Sequence, residues 1–394
     1  MSADDIDITL YGASGFTGGL IAEYLAERSR QDPTFTCALA GRNAEKLDGV
    51  YSRLGLDEST AVIVADGDDQ AALTAMADRS RVVIAAAGPY QLYGSKVVAA
   101  CARTGTDYVD LCGEPNWIRA MIDEHSADAE RTGARIVFSC GFDSIPFDLG
   151  VFLLEALARE HFGAAISRVK GRVVEMQGSA SGGTVASMMA TMSAAGADPE
   201  VAMLLMDPFA LTPGFTGPEQ PTGTAPVFDE DLGTWAAPFV MAIINTKAVH
   251  RSNALLGHRY GTDFRYDEMV VTGPGEEGET AANDLGQAGG MSGDEASLQP
   301  GDGPSREERD AGGYLLAFTG ALDDDRSVRV TVAGDQDPGY GSTSKMISES
   351  ALCLLRDDVA AGGGIWTPAA AMGRELIERL RRLSVLTIEE TVTT

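Results

Sequence analysis

Short apolar runs alternate with stretches whose apolar positions recur every three to four residues, and this alternation holds for about the first 150 residues. Ile6-Asp7-Ile8-Thr9-Leu10-Tyr11 predicts a strand, and Phe16–Arg28 predicts the amphipathic helix after it. Thr34–Ala40, Val62–Ala65, Val82–Ala86, Asp107–Leu111 and Arg135–Ser139 predict further strands. Helices are expected between them, from near Asp69, over Ser95–Arg103 and from Pro115, with another opened by Pro146 after the last strand. Elements alternating at these lengths build a doubly wound parallel α/β sheet with helices on both faces, and ligands then lie across the carboxyl ends of its strands.

From about residue 165 the pattern changes. Ser167–Gln177 is long, β-rich and uninterrupted, and Gly178-Ser179-Ala180-Ser181-Gly182-Gly183-Thr184 then precedes a Met- and Ala-rich helix, Val185–Ala195. Ser181–Thr184 is a small-residue helix start able to bind an anionic or carbonyl group, and Met188, Met189 and Met192 suit adaptable packing. Residues 207–233 read as Pro- and Gly-rich loop, residues 235–256 as an apolar wall carrying Arg251 and Asn253, and the acidic, glycine-rich Gly273–Gly303 as a solvated loop. Ser305-Arg306-Glu307-Glu308 is a capping box for a short helix stopped at Gly312-Gly313. Tyr314–Gly320 and Arg326–Ala333 predict a hairpin, Gly339-Tyr340-Gly341-Ser342-Thr343 opens a helix over Ser344–Leu355, and Thr367-Pro368 starts a last helix reaching about Leu383. The expected organisation is a ligand-binding domain over 1–150, a second α/β domain over 151–338, and C-terminal helices over 339–394 packing back on the first.

A chain of 394 residues exceeds one comfortable core, and 44% hydrophobic residues support two domains. The five cysteines form no C-x-x-C pair and the four histidines show no ligand spacing, so neither a disulfide framework nor a metal site is expected. No leader pattern and no bilayer-length apolar run are present, which predicts a soluble, cytoplasmic protein. The net charge is −28, and the 30 basic residues are 25 arginines and five lysines. Carboxylates spread along the whole chain suit molar salt, where the screening length is about 3 Å, and predict a halophilic source. That field argues against binding nucleic acid or an anionic membrane, and it requires any anionic cofactor to meet a local cationic patch.

The turn Gly12-Ala13-Ser14-Gly15-Phe16-Thr17-Gly18 offers such a cofactor a seat. Its glycines permit a tight turn and close backbone approach, and the helix start points free N–H groups at a dinucleotide pyrophosphate, as in a Rossmann domain. In NAD sites an acidic residue at the end of the second strand binds the ribose 2′-hydroxyl. Here Arg42 stands 24 residues after Gly18, with Lys46 one helical turn on, which favours the 2′-phosphate of NADP over NAD. Asp66 is placed either to accept from the adenine amino group or to cap the helix from Asp69. Ala87-Gly88-Pro89 lets the chain pass close under a nicotinamide ribose, with Tyr90 and Tyr93 at the mouth as candidate proton donors or packing aromatics. Glu114, Asp143 and Ser144 also follow strand ends and face the same region, although Asp143 and Ser144 equally suit capping of the helix at Pro146.

Together these motifs resemble the saccharopine dehydrogenase-like oxidoreductases. The resemblance rests on Gly12–Gly18, Ala40-Gly41-Arg42-Asn43, Ala87-Gly88-Pro89-Tyr90, Tyr108–Glu114, Gly141–Pro146, Ser181–Thr184, Asp337–Gly341 and Gly364–Pro368, and its closest branch is the trans-acting enoyl reductases. It implies a Rossmann domain, a mixed α/β second domain with substrate and dimer contacts, hence a homodimer, and a helical return to the first domain. It also implies hydride transfer from a nicotinamide cofactor to an imine or to a conjugated C=C bond on a small or acyl-type substrate. Two other readings stay open: a nucleotide-binding subunit, partner-binding or lipid-associated, without turnover, and a reductase that forms saccharopine itself.

Overall fold

The computed structural model describes residues 6–57, 60–178, 181–288, 302–323 and 325–394. Its first sheet contains β1 (Ile6–Tyr11), β2 (Cys37–Gly41), β3 (Ala61–Val64), β4 (Ser80–Ala85), β5 (Asp107–Asp110), β6 (Arg135–Val137) and, from far along the chain, β13 (Gly364–Trp366). The order is β13-β6-β5-β4-β1-β2-β3 and every pairing is parallel. The strand order reverses between β1 and β4, so the ligand crevice opens above their carboxyl ends. β1 is buried along its whole length, and its two polar side chains are satisfied: Asp7 pairs with Arg81 at 2.9 Å and Thr9 bonds Ser80 at 2.6 Å.

The second sheet contains β7 (Arg168–Gln177), β8 (Val227–Asp229), β9 (Thr234–Pro238), β10 (Arg265–Gly273), β11 (Gly313–Ala321), β12 (Ser327–Gly334) and β14 (Thr387–Thr393), in the order β14-β12-β11-β7-β10-β9-β8. It is mixed, because β10 runs parallel to β7 while the other pairs are antiparallel. The helix Ile145–Phe162 leaves the first sheet and packs against β11 and β12. One apolar cluster therefore runs from Ile8 and Leu10 through Phe147 to Leu316 and Phe318, and the two sheets share a core.

The chain beyond residue 338 serves both sheets. Helix Thr343–Arg356 lies on helix Phe16–Gln31, pinned by Glu349. This fully buried carboxylate accepts from the Tyr24 hydroxyl at 2.8 Å, Arg28 Nε at 2.8 Å and Arg379 Nη1 at 2.9 Å. β13 extends the first sheet and β14 forms an edge of the second, so the C-terminal segment is not wholly helical as the sequence suggests. The predicted last helix is also split at Gly373, whose φ is +39°.

One expectation is overturned outright. Gly273–Gly303 is not simply a loop, because Gly275–Ala288 forms a helix that packs on β9 and β10 and buries Ala282 completely. Glu276 and Glu277 in its first turn complement the helix dipole, and packing on β9 and β10 overrides the glycine-rich composition. Residues 289–301 of that segment lie outside the described residues. A helix not expected from the sequence, Pro199–Met206, follows Gly182–Ala197 as a hairpin. No helix among the described residues is long and apolar enough to cross a membrane.

Candidate active site

The glycine turn is built by close approach. Gly12 has φ +90°, donates its N–H to Ala40 at 2.9 Å, and leaves only 2.9 Å between a would-be Cβ and the Ala87 nitrogen. A Cβ on Gly18 would stand 2.1 Å from the Gly12 carbonyl oxygen. Strand end, turn and helix are thus in contact at every glycine that matters, and the turn lies against the Ala86-Ala87 end of β4. Ser14 and Gly15 are exposed, and no side chain caps the start of the Phe16–Gln31 helix, so its first amides are available to an anion.

Arg42 follows β2 and Lys46 lies in the first turn of helix Ala44–Leu54, both exposed. Among the described residues neither forms an ion pair, whereas Arg28, Arg135, Arg172 and Arg379 all face carboxylates. Asp66 is exposed after β3 and accepts from the Asp68 amide at 2.9 Å. Helix capping falls to Asp69, which accepts from Ala71 and Ala72. Tyr11 joins the two sides: burial raises its phenol pKa, with Asp66 adding to the rise and Arg42 opposing it. A cradle with no room for a Cβ and two uncommitted cations at the second strand's end fit a dinucleotide bearing a 2′-phosphate.

Across the crevice, Ala87-Gly88-Pro89 leads into the helical turn Tyr90–Tyr93, which Glu114 holds in place. Glu114 is 1% exposed, and its two carboxylate oxygens accept from the Tyr90 and Gln91 amides, each at 2.8 Å. The Tyr90 hydroxyl, a candidate proton donor by sequence, is committed elsewhere: it donates to the Ala85 carbonyl at 2.9 Å and accepts from the Leu111 amide at 3.0 Å. Burial raises its pKa far above the ordinary value. Tyr93 is exposed at the mouth. Asp110, buried at the end of β5, accepts from the Cys112 and Ser139 amides and the Tyr108 hydroxyl, joining the loops after β5 and β6. Desolvation lifts its pKa to about 7.

Asp143 and Ser144 share the loop after β6 but not an environment. Ser144 is fully buried and sits at the helix N-cap position without capping it through its side chain; its hydroxyl faces Asn245 Oδ1 at 3.5 Å. Asn245 in turn donates to the buried Glu268 at 2.9 Å. Asp143 is partly buried, has no hydrogen bond or ion pair among the described residues, and is pushed up to about 6 by desolvation. Its charge is felt by Tyr340, whose hydroxyl bonds Thr184 at 2.9 Å and whose ring meets Phe16 edge-on at 5.2 Å.

The second domain closes the remaining side. Gln91 Nε2 donates to Thr191 at 3.3 Å, and Ser187 approaches Gly88, so helix Gly182–Ala197 lies along the turn. That helix exposes Met189 and Met192, the next helix exposes Met203 and Met206, and Leu92 and Tyr93 are exposed on the turn. Tyr340, its organiser Asp337 and Arg309, to which sequence reading gave no role, are placed beside Phe16 at the start of the glycine-rich helix. Asp337-Pro338-Gly339 signalled a turn; Arg309 gave no signal beyond membership of a charged helix. A separate cavity of about 520 Å³ lies at the amino ends of β4–β6, where Arg81 and Arg135 are already paired with Asp7 and Asp107.

The pattern described as the saccharopine dehydrogenase NADP binding domain matches residues 8–137. Over 403 residues the chain is 40% identical to a Mycobacterium tuberculosis protein provisionally named a trans-acting enoyl reductase, covering 95% of each. It is 38% identical over 404 residues to a trans-acting enoyl reductase of Mycobacterium bovis, covering 95% of this chain and 96% of that relative. Among solved structures, apo saccharopine dehydrogenase (L-Glu forming) of Saccharomyces cerevisiae aligns with a TM-score of 0.56 at 12% identity, over 99% of this chain and 100% of that one, a likeness of fold.

Proposed function

The chain belongs to the saccharopine dehydrogenase-like oxidoreductases, with an NADP-binding domain, and on that premise we propose that it is an NADPH-dependent reductase of an activated C=C bond on an acyl-type substrate. When bound, the cofactor supplies hydride from its nicotinamide. Gly12, Ser14, Gly15, Phe16, Thr17 and Gly18 receive its pyrophosphate, Arg42 and Lys46 the 2′-phosphate, Asp66 the adenine side, and Ala87-Gly88-Pro89 the nicotinamide ribose. Glu114 fixes the Tyr90–Tyr93 turn through two amides, and Tyr90 ties that turn to β4 and to Leu111, so both position the pocket floor. Asp143 is the proton donor: its carboxyl has no hydrogen bond or ion pair among the described residues, and burial raises its pKa to about 6, so the neutral acid is populated on the acid side of neutrality. Tyr93 guards the entrance, and Ser144 holds the Asp143 backbone against Asn245.

The observation that carries the substrate reading is the apolar mouth. A chain of net charge −28 exposes Leu92 and Tyr93 on the turn and Met189 and Met192 on the helix that meets it through Ser187 and Thr191, where adaptable thioether side chains favour a long apolar group over a dicarboxylate. The test is NADPH oxidation followed by absorbance with a panel of enoyl thioesters, imines and keto acids. Turnover with enoyl thioesters that improves with chain length is expected. Glutamate-dependent oxidation with aminoadipate semialdehyde would instead support saccharopine formation, and binding without any turnover would support a non-catalytic subunit.

A further inference from the structure

We infer that Arg309, carried by the second domain, is a ligand for the diphosphate of the dinucleotide and closes the cradle from across the crevice. This rests on the NADPH reading above and adds a residue to it. Arg309 lies in the short helix Arg306–Ala311, and its guanidinium carbon stands 5.9 Å over the ring of Phe16, the first residue of the anion-facing helix. The surrounding chain is fitted to that ring: a Cβ on Gly303 would be 2.4 Å from it, and Tyr340 meets it edge-on at 5.2 Å.

The arm is braced, and its guanidinium forms no ion pair among the described residues. The Arg309 carbonyl accepts from the Asp337 amide at 2.9 Å, and Asp337 in turn holds the Tyr340 and Gly341 amides at 3.0 and 2.7 Å. Arg309 also acts on that carboxyl through space, its charge opposing the rise in pKa that burial causes. Arg309 Nη1 donates to the Pro304 carbonyl at 2.6 Å, and among the described residues the guanidinium forms no ion pair. A chain this acidic repels an anion over most of its surface, so a guanidinium held over the first residue of the glycine-rich helix supplies counter-charge where a diphosphate needs it. A phosphate contact from this arm also makes cofactor binding draw the two domains together.

Calorimetric titration of the full chain with NADPH and with NADH tests this, because the diphosphate is common to both and the 2′-phosphate is not. Arg309→Ala and Arg309→Met should weaken both cofactors by the same factor, roughly tenfold for a lost charge-assisted contact, and flatten the salt dependence of binding. Arg42→Ala should weaken NADPH alone. Hydrogen exchange across 302–311 should slow in the wild type on adding NADPH and stay unchanged in Arg309→Ala. Wild-type affinity in Arg309→Met, where packing on Phe16 is kept and only the charge is gone, overturns the inference, as does a loss confined to NADPH. If the wild type itself binds neither cofactor, the NADPH reading fails instead.

Discussion

Replacing Glu114 by glutamine preserves the side chain's shape and removes one of its two acceptors. In the native protein both oxygens are used, by the Tyr90 and Gln91 amides at 2.8 Å, and the residue is 1% exposed, so no water can take over. Glutamine satisfies one amide through its carbonyl and sets its own NH₂ against the other. A hydrogen bond to a charged group contributes roughly 1.5–3 kcal/mol, and a buried unsatisfied donor costs about 1–3 kcal/mol. Opening of the Tyr90–Tyr93 turn should therefore become about 2–4 kcal/mol easier, a roughly 30- to 700-fold faster exchange of those two amides. Hydrogen exchange read by mass spectrometry on a peptide spanning Gly88–Gly94 measures this directly, with NADPH turnover recorded in parallel. Faster exchange and slower turnover should appear together. Collapsed turnover with native exchange would refute the reasoning, because Glu114 would then act on the substrate's proton rather than on the loop.

Gly18→Ala places a methyl where 2.1 Å separates it from the Gly12 carbonyl, so the turn must shift. Overpacking of about 1–3 kcal/mol and weaker NADPH binding are expected, and an unchanged dissociation constant by calorimetry would contradict the close-approach argument. Asp143, raised from its ordinary 3.8 to about 6, is neutral below that pH and ionised above it, so the donor role proposed for it predicts a pH profile. Wild-type kcat/KM should fall as pH rises through about 6, while Asp143→Asn is slow and flat; parallel profiles would remove Asp143 from the chemistry. The same shift favours the fold below the ordinary pKa and loses that contribution as pH rises through 6, so Asp143→Asn should gain in denaturant midpoint over wild type between pH 4 and 7. Glu349→Ala strands two arginines and a tyrosine between the C-terminal helix and helix Phe16–Gln31, and should cost about 3 kcal/mol by urea unfolding, with less than 1 kcal/mol counting against the buried-pair account.

The parallel sheet was legible because its signals are local. Each strand from Ile6 onward is an apolar run, and Gly12–Gly18 and Pro115 mark helix starts by backbone chemistry that any reader of sequence can apply. β13 was not legible, since Gly364–Trp366 is three residues long and joins β6 from more than 200 residues away. β14 follows a charged helix, and its Ile388 and Val392 alternate with polar residues that gain meaning only beside β12. The helix at Gly275–Ala288 was hidden by its glycines and acids, because the face it buries on β9 and β10 is specified by tertiary contact. At the site, the glycine turn and Arg42 could be found by spacing. The partners of Tyr90 and Glu114 could not: one hydroxyl reaches Ala85 and Leu111, and one carboxylate reaches back 24 residues to the Tyr90 amide.

The charge of the chain sharpens that division between scaffold and site. With carboxylates in large excess, an arginine in this protein readily finds one, as Arg28 and Arg379 do at Glu349 and Arg172 does at Asp229 and Asp267. Such pairs fix the fold and carry no information about ligands. Arg42, Lys46 and Arg309 belong to the cations that form no ion pair among the described residues, the first two beyond the second strand and the third over Phe16. Their positions bracket the turn at Gly12–Gly18 from two domains, which is the distribution an elongated, multiply charged anion requires. Of the exposed methionines, Met189 and Met192 lie on the helix whose Ser187 and Thr191 reach Gly88 and Gln91. Among the described residues Arg30, Arg159 and Arg251 also lack an ion pair and donate to backbone carbonyls instead, so it is position beside the glycine turn, not the absence of a carboxylate, that singles out a cation for a ligand.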